Sequence, residues 1–546
     1  MNIAILSNVN VTHVINEIKK IQEFDVYTPN GYGIWLEEII NPFSELYNFE
    51  PEVVFFLLDG SELFERLGFE HALERLEIIV NKAKVNKNIH FFIPEIDVWD
   101  KRIIPNDELS QGRIFEEAWN KKVYDSVSLL SNIHVIKLKS IVEYIGRKDF
   151  YSDKLWYLGG IKFSNLAVKY IIDEIKILVK AYKKERKKVL IIDLDNTLWG
   201  GVVGEVGVSG IELSDFKEGR RFKDFQNRIK EMKETGVILA IASKNNENDV
   251  KEVFENHKDM VLEWDDIVSK KINWENKVVN IKQIAEELNL GIDSFVFIDD
   301  SPMERELVKE NLPCEVPDFP TDTSQLNNFA IEIYRKYFYT LRITEEDKKK
   351  TQMYLAESKR EELKKSVKNI DEFLESLEMK MKIWKAKPED VSRIAELTQK
   401  TNQFNLTTIR LTEAEVLERM EDENYDVYLA SVEDKFGDYG KVLLAFVKKN
   451  QKEKTAEIEN ILMSCRVFGR NLELQFLEYI QERLEKEGIE KIYGKYIPTA
   501  KNKPAEDFYE RMGYRLIDSK DGIKTYEQDI QNRTVIRSYA RLEYEN

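Results

Sequence analysis

The chain has 546 residues, and at roughly 150 residues per domain this length predicts three or four domains. Lys and Arg number 82 against 99 Asp and Glu, so the formal charge is −17; this acidity argues against a nucleic-acid binder, which needs a basic face. Only two cysteines, Cys314 and Cys465, are present, so we predict no disulfide framework and a cytoplasmic location. No apolar run approaches the ~18 residues of a membrane span, so we predict no membrane partner.

The first segment, residues 1–185, alternates strands with helices. We interpret the opening residues as a first β-strand, Asn2–Ser7, and not as a signal peptide. Two more apolar runs, 53–58 and 89–94, are typical of buried strands, and a helical period lies between them over 62–84. This order predicts a parallel α/β sheet.

Three further segments follow a charged run at 183–188. Residues 186–343 repeat the α/β alternation, with strands predicted at 189–193, 237–243 and 294–300. Residues 344–374 contain neither Gly nor Pro and predict a linker helix. Residues 375–546 place antiparallel strands beside a few helices, which indicates an α+β domain. The predicted fold class is therefore a multidomain α/β chain.

Two carboxylates, Asp193 and Asp195, follow the apolar run VLII at the carboxyl end of a predicted strand. Ligands of open parallel sheets bind at this edge. Residues two apart on a strand share a face, and two close carboxylates repel each other unless a cation lies between them. Mg²⁺ takes oxygen ligands and retains a phosphate in its shell, so we predict a Mg²⁺ site here.

More polar residues follow the later strands in chain order. Ser243 ends the second strand, and its hydroxyl suits a phosphate oxygen. Lys277 opens a helix after Asn273 and could neutralise phosphate charge, although Lys244 is a rival for that role. The third strand ends in the pair Asp299–Asp300, which offers further metal carboxylates.

The order Asp-x-Asp-x-Thr, Ser, Lys and Asp-Asp resembles the haloacid-dehalogenase (HAD) superfamily. The resemblance implies an aspartyl-phosphate enzyme with Asp193 as nucleophile and Asp195 as general acid/base. It implies that Thr197 and Ser243 hold the phosphoryl group and that Lys277 offsets its charge. The metal ligands it implies are Asp193, Asp195, Asp300 and Asp299, with Asp300 favoured over Asp299, which would rather orient the lysine.

The residues after the first motif, LWGGVVGE (198–205), leave no room for a long insertion, so we predict a HAD domain with a minimal cap. With SKNNENDV, NWENK and IDDSPMERE, they resemble HAD subfamily IIIC, the FkbH-like proteins. That resemblance implies transfer of the glyceryl unit of 1,3-bisphosphoglycerate, a small phosphorylated metabolite, to an acyl-carrier protein, feeding polyketide extender units.

The C-terminal segment resembles the GCN5-related (GNAT) acetyltransferases in its loop CRVFGRN (465–471) and in NKPAEDFYERMGY (502–514). The resemblance implies that Arg466, Gly469, Arg470, Asn502 and Tyr509 bind an acyl-bearing cofactor. Asn471 stands where that family has a small residue, which favours a phosphopantetheine arm over ordinary acyl-CoA.

Two residues of this segment keep alternative interpretations. Cys465 is either a small buried hydrophobe or a thiol that receives the acyl group, since a helix start and Arg466 nearby would favour the thiolate. Tyr509 either packs in the core or protonates a leaving thiolate. Cys314 is predicted to be structural.

The first segment resembles an SGNH-hydrolase or flavodoxin-like fold, with Ser7 where that family has its nucleophile. Trp156 stands where the family has its histidine, and a serine without its base is not activated, so we predict a non-catalytic domain. The leading hypothesis is a HAD phosphatase coupled to acyl transfer. The alternatives are a plain phosphatase with scaffold domains and an acyl-CoA N-acyltransferase with a vestigial HAD site; the sequence leaves the oligomeric state open.

Overall fold

The computed structural model describes residues 1–31, 33–103, 110–534 and 536–544. The chain forms two compact units, one of Met1–Lys187 with Asn328–Ile343 and one of Lys188–Asn327 with Thr344–Asn546. The segment 328–343, which we assigned to the middle domain, thus belongs to the first unit. The end of the predicted C-terminal domain, 545–546, lies outside the described residues.

The first unit contains a five-stranded sheet in the order β2-β1-β3-β4-β5, with every described pair parallel. Its strands are β1 (Asn2–Ser7), β2 (Asp25–Tyr27), β3 (Val53–Leu57), β4 (His90–Pro94) and β5 (Ile133–Ile136). Its helices are α1 (Thr12–Ile18), α2 (Trp35–Ile40), α3 (Glu45–Asn48), α4 (Gly60–Val85), α5 (Gln111–Leu129), α6 (Leu138–Ile145), α7 (Arg147–Phe150), α8 (Asp153–Gly159) and α9 (Asn165–Tyr182). Strands β1 and β3 have apolar residues on both faces, as sheets covered by helices on both sides require.

The middle of the chain forms a second parallel sheet in the order β8-β7-β6-β9. Its strands are β6 (Val189–Ile192), β7 (Ile238–Ser243), β8 (Ile267–Ile272) and β9 (Phe295–Ile298). Its helices are α10 (Val203–Val206), α11 (Lys217–Glu234), α12 (Glu247–Asn256), α13 (Lys277–Leu288) and α14 (Pro302–Asn311). Most of the next helix, α15 (Leu326–Ile333), belongs to the first unit. The three predicted strands are confirmed, and β8 was missed.

The C-terminal part builds a nine-stranded, mostly antiparallel sheet, which confirms the α+β prediction. Its strands are β10 (Met379–Lys385), β11 (Phe404–Asn405), β12 (Tyr425–Asp434), β13 (Gly437–Asn450), β14 (Thr455–Met463), β15 (Lys491–Tyr496), β16 (Arg515–Lys520), β17 (Ile523–Asp529) and β18 (Ala540–Tyr544). Its helices are α16 (Glu345–Ser366), α17 (Ile370–Ser376), α18 (Val391–Lys400), α19 (Glu413–Glu421), α20 (Leu472–Lys486) and α21 (Phe508–Arg511). Its main core packs α20 against the sheet, for example through Phe476 and Ile480.

The predicted linker helix, α16, is a packed element of the second unit. It begins with a capping box between Thr344 and Asp347. Arg360 on this helix is 3 % exposed and binds Asp434 of β12 through two hydrogen bonds of 2.7 and 2.9 Å. None of the described helices has both the length and the apolar character needed to cross a membrane.

Candidate active site of the middle domain

Polar side chains gather at the carboxyl edge of the middle sheet. Ile192 of β6 pairs with Ile241 of β7 and with Ile298 of β9, so these strands end at one level. Asp193 follows β6, Ser243 ends β7, and Asp299 follows β9. The register therefore brings three of the predicted motifs to one place, as parallel topology requires.

Asp193 is buried at the centre of this group, with 6 % of its surface exposed. Its Oδ1 accepts a 2.6 Å hydrogen bond from Nζ of Lys277, and its carboxylate also accepts one from the Ser243 hydroxyl. Burial raises the pKa of Asp193 to about 7, against the opposing positive charge of Lys277. Asp193 is thus a fixed carboxylate held beside a cation.

Lys277 lies at the first turn of α13, where Asn276 caps the helix. Its ammonium bridges Asp193 and Asp299, and Asp299 also accepts a 2.8 Å bond from the backbone N–H of Ser301. Burial lowers the pKa of Lys277, but the two carboxylates outweigh it, so this pKa lies above its ordinary value. The rival Lys244 instead pairs with Glu304 at 2.6 Å and is exposed. The structure therefore brings Lys277, and not Lys244, to Asp193.

Asp300 completes a group of three carboxylates. Oxygens of Asp193, Asp299 and Asp300 lie within 4.8 Å of one another, which fits the all-oxygen ligand set of a hard divalent cation. Burial raises the pKa of Asp300, and the charge of Asp299 adds to the effect, so a cation here would relieve a real repulsion. Both oxygens of Asp299 already accept protein hydrogen bonds, so Asp193 and Asp300 are the more available ligands.

Thr197 is fully buried and supports Asp300. Its hydroxyl accepts a 3.0 Å bond from the backbone N–H of Asp300 and donates a 3.4 Å bond to Oδ1 of the same residue. Thr197 therefore positions Asp300, and its predicted contact with the phosphoryl group stays a prediction.

The Asp195 carboxylate is outside the three-carboxylate group. Its Oδ1 accepts bonds from the indole N–H of Trp199 at 3.0 Å and from the backbone N–H of Val203 at 3.1 Å. Its Oδ2 accepts a 3.0 Å bond from the side chain of Asn245. Three donors hold the carboxylate in one orientation, apart from the cluster. The predicted roles of Asp195 as a metal ligand and as the general acid/base stay predictions.

Sequence reasoning missed three supporting residues. Trp199 and Asn245 orient Asp195, and Arg305 donates 2.7 Å bonds to the backbone carbonyls of both Asp299 and Asp300. The signal for Trp199 was its place four residues after Asp195, and that for Asn245 its place two residues after Ser243. Nothing in the sequence around Arg305 pointed to the acidic loop.

The described residues above the site contain only short cap elements between β6 and α11, namely α10 and a single turn, Val208–Gly210. Gly200 lies in this connection, where an added Cβ would come within 2.7 Å of a Glu212 carboxylate oxygen and within 2.8 Å of the Phe222 ring. The minimal cap predicted from the sequence thus agrees with the close packing of this loop. At the rim, Trp274 is 70 % exposed.

The loop predicted to bind a cofactor in the C-terminal part turns its cationic side chains inward. Arg470 is 6 % exposed, stacks on Tyr439 with 4.7 Å to the ring centroid, and donates to the carbonyl of Arg466. Arg466 itself donates a 3.1 Å bond to the Tyr439 carbonyl. Gly469 adopts a positive φ of 75° and has open space around its α-carbon. Both arginine side chains thus make contacts within the protein, while Gly469 is exposed, and the predicted cofactor contacts of these three residues stay predictions.

Asn502 and Tyr509 are also structural. Asn502 is fully buried and donates 2.9 Å bonds to the carbonyls of Asn405 and Ile497. Tyr509 is 1 % exposed and packs against the rings of Tyr514 and Tyr526, and burial raises its pKa well above the ordinary value. These environments favour the core interpretation of Tyr509, and the predicted cofactor contacts of both residues stay predictions.

Cys465 is exposed, so its interpretation as a buried hydrophobe is wrong. Cys465 opens a single helical turn, Cys465–Val467, and α20 begins only at Leu472. An accessible thiol remains, and its acyl-carrying role stays a prediction.

A parallel strand pair in this domain separates part-way along. Strand β14 pairs with β15 only as far as Ile458 with Gly494. Beyond that point β14 pairs with the short strand β11 instead, with Phe404 opposite Met463. Its neighbour Leu406 accepts a 2.8 Å bond from the backbone N–H of Ile497. The chain thus fills with its own backbone the gap that opens between the two strands.

In the first unit, the Ser7 hydroxyl donates a 2.6 Å bond to the Leu57 carbonyl and accepts one from the backbone N–H of Val9. Ser7 is 6 % exposed, so its hydroxyl serves the backbone at the end of β1. This geometry agrees with the interpretation of a non-catalytic domain.

Comparison with known proteins adds one informative similarity. No family model matches the chain, and no curated protein matches it. The N-terminal part of the protein BF1531 from Bacteroides fragilis, which contains a phosphatase domain complexed with Mg, is 28 % identical, with a TM-score of 0.58. The match covers 63 % of this chain and 94 % of that chain. Much of this chain therefore shares its fold with a phosphatase-containing protein.

Acetyltransferases also match over a shorter part. The Escherichia coli ribosomal-protein-S18-alanine N-acetyltransferase is 15 % identical, covering 28 % of this chain and 94 % of that chain with a TM-score of 0.22. A GNAT-family acetyltransferase from Streptococcus pneumoniae is 17 % identical over the same share, with a TM-score of 0.23. The multidomain α/β fold class predicted from the sequence is confirmed by the chain's own sheets.

Proposed function

We propose that the chain is a Mg²⁺-dependent phosphatase or phosphotransferase of the HAD type that forms an aspartyl-phosphate on Asp193. The observation that carries the proposal is the buried carboxylate of Asp193, held 2.6 Å from the Lys277 ammonium within a cluster of three carboxylates. The similarity to the Mg-complexed phosphatase protein from Bacteroides fragilis supports the same chemistry.

The residues divide the reaction into two steps. Asp193 attacks phosphorus, and the bond from phosphorus to the leaving oxygen breaks as Asp195 supplies a proton to that oxygen. Asp195 then takes a proton from water, which attacks the same phosphorus and releases phosphate from Asp193. Lys277 and the Ser243 hydroxyl offset negative charge that develops on the phosphoryl oxygens. Trp199 and Asn245 keep Asp195 in one orientation throughout.

Asp193 and Asp300 would hold the metal ion. When bound, Mg²⁺ supplies positive charge that screens the phosphoryl group and lets an anionic nucleophile approach it. Thr197 and Arg305 position the Asp300 segment, and Asp299 is left to orient Lys277.

The finer proposal, from the resemblance to FkbH-like proteins, is that the enzyme loads a glyceryl unit from 1,3-bisphosphoglycerate onto the phosphopantetheine arm of an acyl-carrier protein. The acyl phosphate of that substrate can acylate a thiol directly, which forms a thioester and releases phosphate. Asp193 would then attack the remaining phosphate ester and remove its phosphoryl group. The minimal cap supports a tethered substrate, because it leaves the site open. The exposed Cys465 is the candidate thiol on this chain.

A plain phosphatase is the second candidate, and one observation favours it. The side chains of Arg466, Arg470, Asn502 and Tyr509 are engaged within the C-terminal domain, as a scaffold would have them. The same observation leaves the acyl-CoA N-acyltransferase alternative without support from these residues.

Intact-protein mass spectrometry distinguishes the two candidates. The enzyme is mixed with Mg²⁺, 1,3-bisphosphoglycerate and a phosphopantetheinylated carrier protein, and Asp193→Asn and Cys465→Ser are run in parallel. The transferase proposal expects a dephosphorylated glyceryl mass on the carrier, absent with Asp193→Asn. Free phosphate with an unmodified carrier contradicts transfer and supports the plain phosphatase.

A further inference from the structure

A cavity of about 130 Å³ lies in the first unit, beside the carboxyl ends of β1 and β3. In the sheet order β2-β1-β3-β4-β5, strand β2 lies on one side of β1, and β3, β4 and β5 lie on the other. The direction of the crossover connections therefore reverses between β1 and β3. Open parallel sheets bind ligands at such a reversal. Asn8 follows β1 and Asp59 follows β3, and their hydrogen bonds of 2.8 and 3.0 Å join the two strand ends.

Asp59 lines this cavity and has an unmet hydrogen-bonding capacity. It is 2 % exposed, and its Oδ1 accepts a 2.8 Å bond from the backbone N–H of Glu62 as the cap of α4. Its Oδ2 is buried and accepts no hydrogen bond from the residues the structure describes. Leaving a buried carboxylate oxygen without a donor is costly, so such an atom calls for a partner.

The charges of the cavity wall favour a cation as that partner. Within the described lining, four carboxylates face two ammonium groups, so two negative charges remain in excess. The paired groups are Lys101 with Asp153 at 2.9 Å and Lys162 with Glu62 at 3.0 Å. The carboxylates in excess are those of Asp59 and Glu65.

Four aromatic side chains and two serines line the rest of the cavity, and two of the aromatic rings lie against ammonium groups. Lys101 lies 4.4 Å from the Trp99 ring centroid, and Lys162 lies 4.2 Å from that of Trp156. Aromatic faces attract cations and also cover hydrocarbon. The cavity is small, so it admits only a small ligand.

We propose that this cavity binds a small primary amine, with its ammonium group against Oδ2 of Asp59 and its carbon atoms against the aromatic wall. This binding function is separate from the phosphotransfer proposed for the middle domain and does not depend on it. It gives the domain that lacks an activated serine a ligand of its own.

Isothermal titration calorimetry on the full chain tests the proposal with ethanolamine and with ethylene glycol, a neutral molecule of the same size, at pH 7.5. Ethanolamine is expected to saturate one site and to bind at least tenfold more tightly than ethylene glycol. Asp59→Asn retains a good helix cap and is expected to weaken ethanolamine binding at least tenfold. If that variant does not fold, Glu65→Gln, at an exposed position, is expected to weaken it at least threefold.

Three results would overturn the proposal. One is the absence of saturable ethanolamine binding to the wild-type chain. Another is equal affinity for ethanolamine and ethylene glycol, which would mean that charge is not recognised. The third is unchanged ethanolamine affinity in a folded Asp59→Asn variant. Thermal unfolding of each variant, measured beside the titrations, identifies a variant that fails to fold.

Discussion

Replacing Lys277 with Met removes the one ammonium group that hydrogen-bonds both Asp193 and Asp299. Both carboxylates are buried, at 6 % and 0 % exposure, so each loses its counter-charge in a region that water does not reach. Breaking a buried ion pair by removing one partner costs about 3–5 kcal/mol. We therefore expect a loss of stability of that order, together with at least a 10²-fold loss of phosphatase turnover, the effect of removing one group that stabilises developing charge.

Lys244→Met is the matched control, because Lys244 is also a lysine beside the site but pairs with Glu304 and is itself 40 % exposed. Since its ammonium reaches water, loss of this pair should cost about 1 kcal/mol, much less than loss of Lys277. The assay is urea unfolding followed by tryptophan fluorescence, with turnover of a phosphate ester measured on the same samples. Equal unfolding midpoints and equal turnover for the two variants would refute the assignment of Lys277.

Three further predictions concern metal binding, acid stability and the packed linker helix. Asp300→Asn should raise the Mg²⁺ concentration for half-maximal turnover more than tenfold; an unchanged requirement in a magnesium titration would contradict its role as a ligand. Burial lowers the pKa of His90 to about 4 and of His134 to about 3. Below pH 6.5 the two histidines therefore bind protons in the unfolded chain while they stay neutral in the folded protein. Stability should therefore fall between pH 6.5 and 4, by about 3 kcal/mol for His90 alone, and His134→Gln should flatten this slope in urea titrations across that range; an equal slope would refute it. Arg360→Met leaves Asp434 buried without its arginine partner and should lower the free energy of urea unfolding by about 3–5 kcal/mol. A loss under 1 kcal/mol would contradict a stabilising role of this ion pair.

The sequence predicted those parts of the fold in which local pattern and environment agree. Strands β3 and β6 are continuous apolar runs because both faces are covered, and both were located within a residue or two. Strand β8 has the sequence IVSKKI, in which two partly exposed lysines break the apolar run. Strand β5 has only four residues, too few to establish a period.

The active site was predictable where residue position alone determines contact. Asp193 and Asp299 follow neighbouring parallel strands and had to meet, and Lys277 reaches them from the start of a helix. The hydrogen bonds from Trp199 and Asn245 to Asp195 also depend on side-chain orientation, which spacing along the chain suggests but does not determine. The same holds for the GNAT-like loop, where Arg470 turns toward Tyr439, because a motif does not specify where its side chains point.

The central claim is that Asp193 becomes phosphorylated, and peptide mapping by mass spectrometry tests it most directly. Asp195→Asn should retain the nucleophile and lose the base that activates water. With p-nitrophenyl phosphate, whose leaving group departs without a proton from Asp195, the intermediate should therefore form and accumulate after brief mixing with Mg²⁺. The account predicts one added phosphoryl group on the peptide that contains Asp193, and none in the double variant Asp193→Asn, Asp195→Asn. A phosphoryl group on any other residue, or turnover that persists in Asp193→Asn, would contradict the account.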